Sequence, residues 1–297
     1  MSLSYQNILQ VRVTFSPRAT ILEEIKKYLN HSEKSTRSGS TTDKKPLVIT
    51  TPNPEQIVFA QTHQVFRDIL NRAYVALPDG VGIVLASRFL QKSTGGKSQT
   101  GVHERIPGVE FTEDLVRIAG DQGIRIGLIG GSDGLAVQAL ECLQAIYPGL
   151  SGWAMDGPEL VLRSTEDMEG PSVSYWEDLA EKIRSTQTQI VFVGLGAPKQ
   201  EYFIETLSRQ LSVTRLAEAP AKRVRPPIVL MSVGGSFDLL TGRLKRAPVF
   251  IRSIGFEWAL RLAQEPWRIQ RQTALIQFVW LVLQKKFFLA PDRACDQ

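Results

Sequence analysis

Five short segments, together with a trio of arginines near the end of the chain, carry residue types able to bind or transform a polar ligand. Leu77-Pro78-Asp79-Gly80 offers a carboxylate, and a carboxylate at the mouth of a sheet can take a proton from an attacking hydroxyl. Pro-Asp-Gly is also a common turn, in which Asp79 would cap the following helix. Thr51-Pro52-Asn53-Pro54-Glu55 offers a hydroxyl and an amide. Asn53 equally fits a helix cap, with Pro54 at the first position and Gln56 as its third-position partner. Gly130-Gly131-Ser132 fits a loop that lets backbone approach a phosphate at a helix N-terminus, and fits as well a tight strand-to-helix turn. Gly234-Gly235-Ser236 carries the same two readings. Gly194-Leu195-Gly196-Ala197-Pro198 leads into Lys199-Gln200-Glu201, where Lys199 and Gln200 could address a sugar or phosphate. Arg261, Arg268 and Arg271 present forks of donors suited to a diphosphate, or else a solvated basic surface. Pro266 is expected to break the helix between Arg261 and the other two.

The elements that must position these residues read as strand, loop and helix in repetition. Pro46–Thr50, Tyr74–Leu77, Arg125–Ile129, Gln189–Val193 and Ile228–Val233 are short apolar, β-rich runs. Helical patterns follow, from Asn53 to about Asn71, toward Phe89, to about Ile146, and after Pro198. The alternation predicts an α/β fold: a Rossmann-like parallel sheet with helices on both faces. Near-continuous apolar strands agree, since both of their faces would be buried. Ligands of such sheets bind beyond the carboxyl ends of the strands, where all five segments fall. Four stretches, 31–45, 91–103, 164–174 and 213–227, read as surface insertions outside the chemistry.

Composition narrows the classes. An apolar fraction of 43% suits a globular core. Cys142 and Cys295 are the only cysteines, which excludes a disulfide framework and fits a reducing cytoplasm. The first residues lack the pattern of a signal peptide, and no apolar run reaches spanning length. No Asp-x-Asp pair occurs, and His31, His63 and His103 have no metal-ligand spacing, so no metal and no cofactor are expected. The net charge of +5 is uneven: residues 243–297 hold ten Lys and Arg against four acids. That stretch is aromatic, and Ala274–Leu283 is nearly all apolar before Lys285-Lys286-Phe287-Phe288. It predicts a helical basic C-terminal appendage (243–297) on a core of 1–242, with a helix lying in a membrane interface. A nucleic-acid partner is disfavoured, because the basic tail carries no recognised motif. Its apolar face could serve a second protomer as well as a membrane.

The ordered set of motifs resembles one family. Thr51-x-Asn53-x-Glu55, Pro78-Asp79-Gly80-x-Gly82, Glu104-Arg105-x-x-Gly108, Gly130-Gly131, Tyr147-Pro148-Gly149 and Gly194-Leu195-Gly196-x-Pro198-Lys199-Gln200-Glu201 come first. Val233-Gly234-Gly235-Ser236-Phe237-Asp238, Arg246-Ala247-Pro248 and Glu257-Trp258-x-x-Arg261-Leu262-x-x-Glu265-Pro266-x-Arg268 follow. The set is similar to the WecG/TagA/CpsF glycosyltransferases over roughly 8–271. The resemblance implies inverting, metal-independent transfer of N-acetylmannosamine or its uronic acid from UDP to a lipid-diphosphate-linked N-acetylglucosamine. It implies Asp79 as the base, Thr51 and Asn53 in the sugar pocket, and Arg105 and Gln200 as residues tied to activity. Arg261, Arg268 and Arg271 match an appendage thought to close over the diphosphate at the inner membrane face. Longer stretches at 31–45, 91–103 and 213–227 depart from the family.

Two other classes compete. A nicotinamide-dependent oxidoreductase would need the G-x-G-x-x-G fingerprint and an acid suitably placed after Gly130-Gly131, and the sequence reading finds neither. A non-catalytic membrane scaffold would bind a nucleotide sugar without turning it over.

Overall fold

In the computed structural model the described residues are 3–30, 45–91, 101–162, 168–213, 226–244, 248 and 269–287. A six-stranded sheet is the centre. Its strands are β3 (Leu47–Thr50), β4 (Val75–Ala76), β5 (Ile126–Gly130), β6 (Gly152–Met155), β9 (Ile190–Gly194) and β10 (Val229–Ser232). They lie in the order β4-β3-β10-β9-β5-β6, and every pairing is parallel. The predicted α/β sheet is therefore present. The chain lays down β3 and β4 on one side, crosses to β5 and β6, then returns with β9 and β10 to fill the middle. Such reversals of strand order leave a crevice at the carboxyl ends.

Alternate strand residues enter different cores, which is why the strands are apolar throughout. Ile190 and Phe192 pack with α1 (Arg18–Asn30), α5 (Gly108–Gln122) and α6 (Leu135–Ile146) on one face. Val191 and Val193 pack with α7 (Val173–Ser185) and α8 (Lys199–Val213) on the other. A third cluster joins a hairpin, β1 (Tyr5–Ile8) with β2 (Val11–Thr14), to α2 (Pro54–Thr62), α3 (Gln64–Arg72) and α4 (Val81–Leu90). The remaining elements are the small antiparallel pair β7 (Val161–Leu162) and β8 (Met168–Glu169), α9 (Ser236–Leu240) and α10 (Ile269–Phe287).

Several expectations change. The single helix expected after Asn53 is two, broken at His63 (φ −120°, ψ 89°). Phe66 lies nine residues beyond the buried Ile57, about half a turn away on a continuous helix. The break lets Phe66, Ile69 and Leu70 face the core alongside Ile57 and Ala60. The His63 ring stacks on Phe59 at 3.6 Å, and its Nδ1 lies 2.9 Å from the Phe59 carbonyl. Three of the supposed insertions have structured ends. Val102 is buried, with its N–H donating to Ser87 Oγ at 2.8 Å. Residues 168–169 form β8, α7 starts at Val173, and α8 runs to Val213.

The C-terminal stretch contributes α10, which packs against α2 and α4. Phe278 and Val282 are buried in the third cluster. Ile276, Val279, Trp280, Leu283 and Phe287 are exposed, from 36 to 72%. Positions 276, 280, 283 and 287 follow helical spacing, so one apolar stripe is docked and another is uncovered. Among the described residues no helix is long and apolar enough to cross a membrane.

Candidate active site

A cavity of about 730 Å³ opens at the carboxyl ends of the strands. It is lined by Thr51 and Asn53 after β3, Asp79 after β4, and Arg105 and Gly108 at the start of α5. Gly131 follows β5, Gly194, Gly196 and Gln200 come from the β9–α8 turn, and residues 233–239 follow β10. Most of the sequence-predicted residues thus converge on one space, although they lie as far as 185 positions apart, from Thr51 to Ser236.

Asp79 sits on a turn tied down from both sides. Its own N–H donates to the Pro52 carbonyl at 3.1 Å, and the Ile106 N–H donates to the Pro78 carbonyl at 3.0 Å. These two bonds bring Thr51-Pro52-Asn53 and the Arg105 segment to the Asp79 turn. The carboxylate does not cap α4: the cap position is Gly80, without a side-chain bond. Oδ2 instead faces the first residue of α5, and the Gly108 N–H reaches it at 3.5 Å. A Cβ at Gly108 would lie 3.0 Å from Thr51 Cγ2, so a larger residue there would press on the Thr51 side chain. A helix N-terminus favours negative charge, as a carboxylate acting as base requires. Asp79 and Arg105 are half-buried and open to the cavity.

Asn53 caps α2 as the sequence predicts. Its Oδ1 accepts from the Gln56 N–H at 3.0 Å, and Gln56 Oε1 accepts from the Asn53 N–H at 3.2 Å. Capping commits Oδ1 alone, and Asn53 still lines the cavity. Gln200 is buried, and both ends of its amide are bound within the protein. Nε2 donates to Glu201 Oε1 at 2.8 Å, and Oε1 accepts from the Gly234 N–H at 2.9 Å. Gln200 therefore shapes the wall as much as it faces the cavity. Lys199 is exposed and does not line the cavity. The Ala197–Pro198 peptide before it is cis.

Gly130 and Gly131 part company. A Cβ on Gly130 would lie 2.3 Å from the Gly194 carbonyl oxygen, so glycine there serves close packing of β5 against β9. Only Gly131 lines the cavity, and its N–H donates to the Gly194 carbonyl at 3.2 Å. One expectation needs correcting: an acid does stand after Gly130-Gly131 at the end of the neighbouring strand. Asp156 follows β6, and its carboxylate accepts from the Gly134 N–H at 3.1 and 3.3 Å, at the start of α6. A protein carboxylate thus holds the anion position at that helix end. Arg261, Arg268 and the side chain of Arg271 lie outside the described residues. Among the described residues no cluster of His, Cys, Asp or Glu could hold a metal ion.

Sequence reasoning gave no role to two groups of residues. Leu275, Phe278 and Val279 of α10 close one side of the cavity, and their apolar run pointed only to an interface. Glu201 is fully buried directly beneath the cavity, and burial pushes its carboxyl up to about 7. Its signal was faint: Gln200 extends the buried stripe of Phe203, Ile204, Leu207 and Leu211 by one turn, which marks that turn as interior.

The profile of the "Glycosyl transferase WecG/TagA/CpsF family" matches residues 24–291. An N-acetylglucosaminyldiphosphoundecaprenol N-acetyl-beta-D-mannosaminyltransferase of Staphylococcus aureus strain MW2 is 30% identical over 240 residues, 81% of each chain. The protein of the same name from strain NCTC 8325 / PS 47 has the same identity and coverage, and that from strain MRSA252 is 29% identical. With a family match over most of its length and 30% identity to a Staphylococcus aureus transferase over 81% of each chain, the chain belongs to the WecG/TagA/CpsF family of glycosyl transferases.

Proposed function

We propose that this glycosyltransferase moves an N-acetylmannosamine-type sugar from UDP to a lipid-diphosphate-linked N-acetylglucosamine, with inversion and without a resident metal. The observation that carries the reading is the position of Asp79. It opens into the cavity beside Thr51, Asn53 and Arg105 on a turn fixed by two backbone bonds. Asp79 takes the proton of the acceptor hydroxyl as that oxygen bonds to the anomeric carbon. The bond from that carbon to UDP breaks, and its electron pair leaves on the diphosphate. The N-termini of α2, α4, α5 and α9 open around the cavity and suit the growing negative charge. Arg261, Arg268 and Arg271 would add to this as a diphosphate clamp. The names of the Staphylococcus aureus relatives support the donor sugar and the acceptor.

The lip of the cavity supports a place at the membrane surface. Val81, Leu85 and Phe89 of α4 are exposed at i, i+4 and i+8, next to the uncovered stripe of α10. Phe89 meets Phe287 at 6.0 Å, and Lys286 stands over Phe89 while donating to the Gln91 carbonyl at 3.1 Å. Val81 and Val279 belong both to this surface and to the cavity. A lipid-linked acceptor could then keep its chain in the bilayer while its sugar reaches Asp79, with the tail serving as a membrane-associating appendage on the cytoplasmic face.

The test is a donor screen against a short-chain lipid-diphosphate-N-acetylglucosamine, with product stereochemistry read by NMR and EDTA in a parallel series. The expected result is transfer from the UDP-mannosamine-type donor, inverted and unaffected by EDTA. Binding of NAD with hydride chemistry would make the protein an oxidoreductase. Binding of UDP-sugar without transfer to any acceptor would make it a scaffold.

A further inference from the structure

Three strand-end loops meet on one carboxyl group beneath the cavity. Glu201 Oε1 accepts from Gln56 Nε2 at 3.0 Å and from Gln200 Nε2 at 2.8 Å. Each amide passes the link to backbone. Gln56 Oε1 accepts from the Asn53 N–H at 3.2 Å, and Gln200 Oε1 accepts from the Gly234 N–H at 2.9 Å. Glu201 therefore joins the loop after β3, the loop after β9 and the loop after β10. Asn53, Gln200 and Gly234 are all cavity wall.

The second oxygen faces the ends of two neighbouring strands. Oε2 is buried without a hydrogen-bond partner, and so are the hydroxyl oxygens of Ser232 and Thr50. Ser232 and Thr50 end the adjoining strands β10 and β3, one step past the Met231–Ile49 register pair, and Ser232 lies beside the carboxyl. A hydroxyl can donate to a carboxylate and can accept from a carboxylic acid, so the Ser232 hydroxyl can serve Oε2 in either form. Oε1 meanwhile keeps both of its amide donors. Burial pushes the carboxyl up to about 7, against the lowering effect of the Gln200, Gln56 and Ser232 side chains, and favours the protonated form.

We propose that Glu201 is a positioning residue for the transfer: through Gln56 and Gln200 it fixes the Asn53 and Gly234 walls against each other and so sets the fit of the donor. The inference rests on the reading of the cavity as the donor site. Glu201 touches no reacting atom. It acts by keeping two amides aligned, and misplacing wall atoms by even about 1 Å can cost about 10²-fold in rate.

Two variants separate the possibilities. Glu201→Gln keeps an acceptor where Oε1 stands and supplies a donor where the acid would carry its proton. Glu201→Met keeps the length and leaves both glutamine amides without their acceptor. Transfer kinetics per folded molecule are measured beside amide exchange at Asn53 and Gly234. E201M is expected to lose about 10²-fold in kcat and to exchange faster at both amides, while E201Q stays within about three-fold of wild type in both readouts. Should E201M not accumulate as folded protein, Gln56→Met cuts one arm alone and should lower kcat roughly ten-fold. Wild-type kcat and wild-type exchange in E201M, or in Q56M where E201M does not fold, would overturn the proposal, as would E201Q failing as badly as E201M. If wild type itself neither binds UDP-sugar nor transfers, the reading of the cavity falls, and the exchange data still decide the network.

Discussion

The inner wall of the cavity and its outer lip are built from opposite materials. The wall, from the loops after β3, β9 and β10, is polar, buried and cross-linked through Gln56, Gln200 and Glu201. The lip, from α4 and α10, is apolar, and its outer stripe is uncovered. The wall holds groups in place, as transfer chemistry needs. The lip offers area without direction, as a lipid surface accepts. A transferase acting on an acceptor that stays in a bilayer needs both within one small volume.

Three changes should break or sharpen that contrast. The largest concerns how the lip is attached. Phe278 is buried among the α2 and α4 side chains, so Phe278→Ala should cost about 3 kcal/mol in denaturant unfolding. A loss below about 1 kcal/mol would show that α10 is not anchored through this ring. The second concerns the wall. The Glu201 carboxyl lies at about 7 in the folded chain against an ordinary 4.5, so the folded state keeps a proton that the unfolded chain releases. Its contribution is full below about pH 4.5 and is lost as pH rises through 7, up to about 3 kcal/mol. Unfolding at pH 5 and pH 8 should show this loss in wild type, and Glu201→Gln should flatten it. Equal pH dependence in both proteins would remove the raised carboxyl from the account. The smallest effect on the fold belongs to the outer stripe. Replacing Ile276, Trp280 and Phe287 together by Ser should change stability by only about 0.5 kcal/mol per site. Binding to anionic vesicles should fall about ten-fold or more, because each side chain would withdraw roughly 2 kcal/mol of apolar burial. Unchanged vesicle binding would leave the lip without a lipid role.

The contrast also explains what could be read from sequence. Five of the six strands of the sheet are legible because burial makes them continuous apolar runs, and the loops after them carry the unusual residues. Asn53 is legible as a cap because its partner is three residues away. The edge strand β6, Gly-Trp-Ala-Met, is only half-buried and lacks β-branched residues, so it has no such signature. The β1–β2 hairpin turns on Leu9 and Gln10 at positive φ, where a sequence reading looks for Gly or Asn. The break at His63 depends on which face meets the core, which no local pattern in the helix reveals. Asp79 read locally as a cap, and only its neighbours in space show that its carboxylate faces α5 rather than α4. Glu201 was hidden for a related reason: a glutamate in a first helical turn reads as solvent-facing, and its partner Gln56 lies 145 positions away at the start of another helix.

The central claim is that Asp79 takes the acceptor's proton in this cavity. Asp79→Asn tests it most directly, with UDP-sugar affinity and transfer to the lipid-linked acceptor measured on the same preparation. The account predicts affinity within about three-fold of wild type and turnover lower by roughly 10²-fold or more. Wild-type turnover in that variant would contradict it.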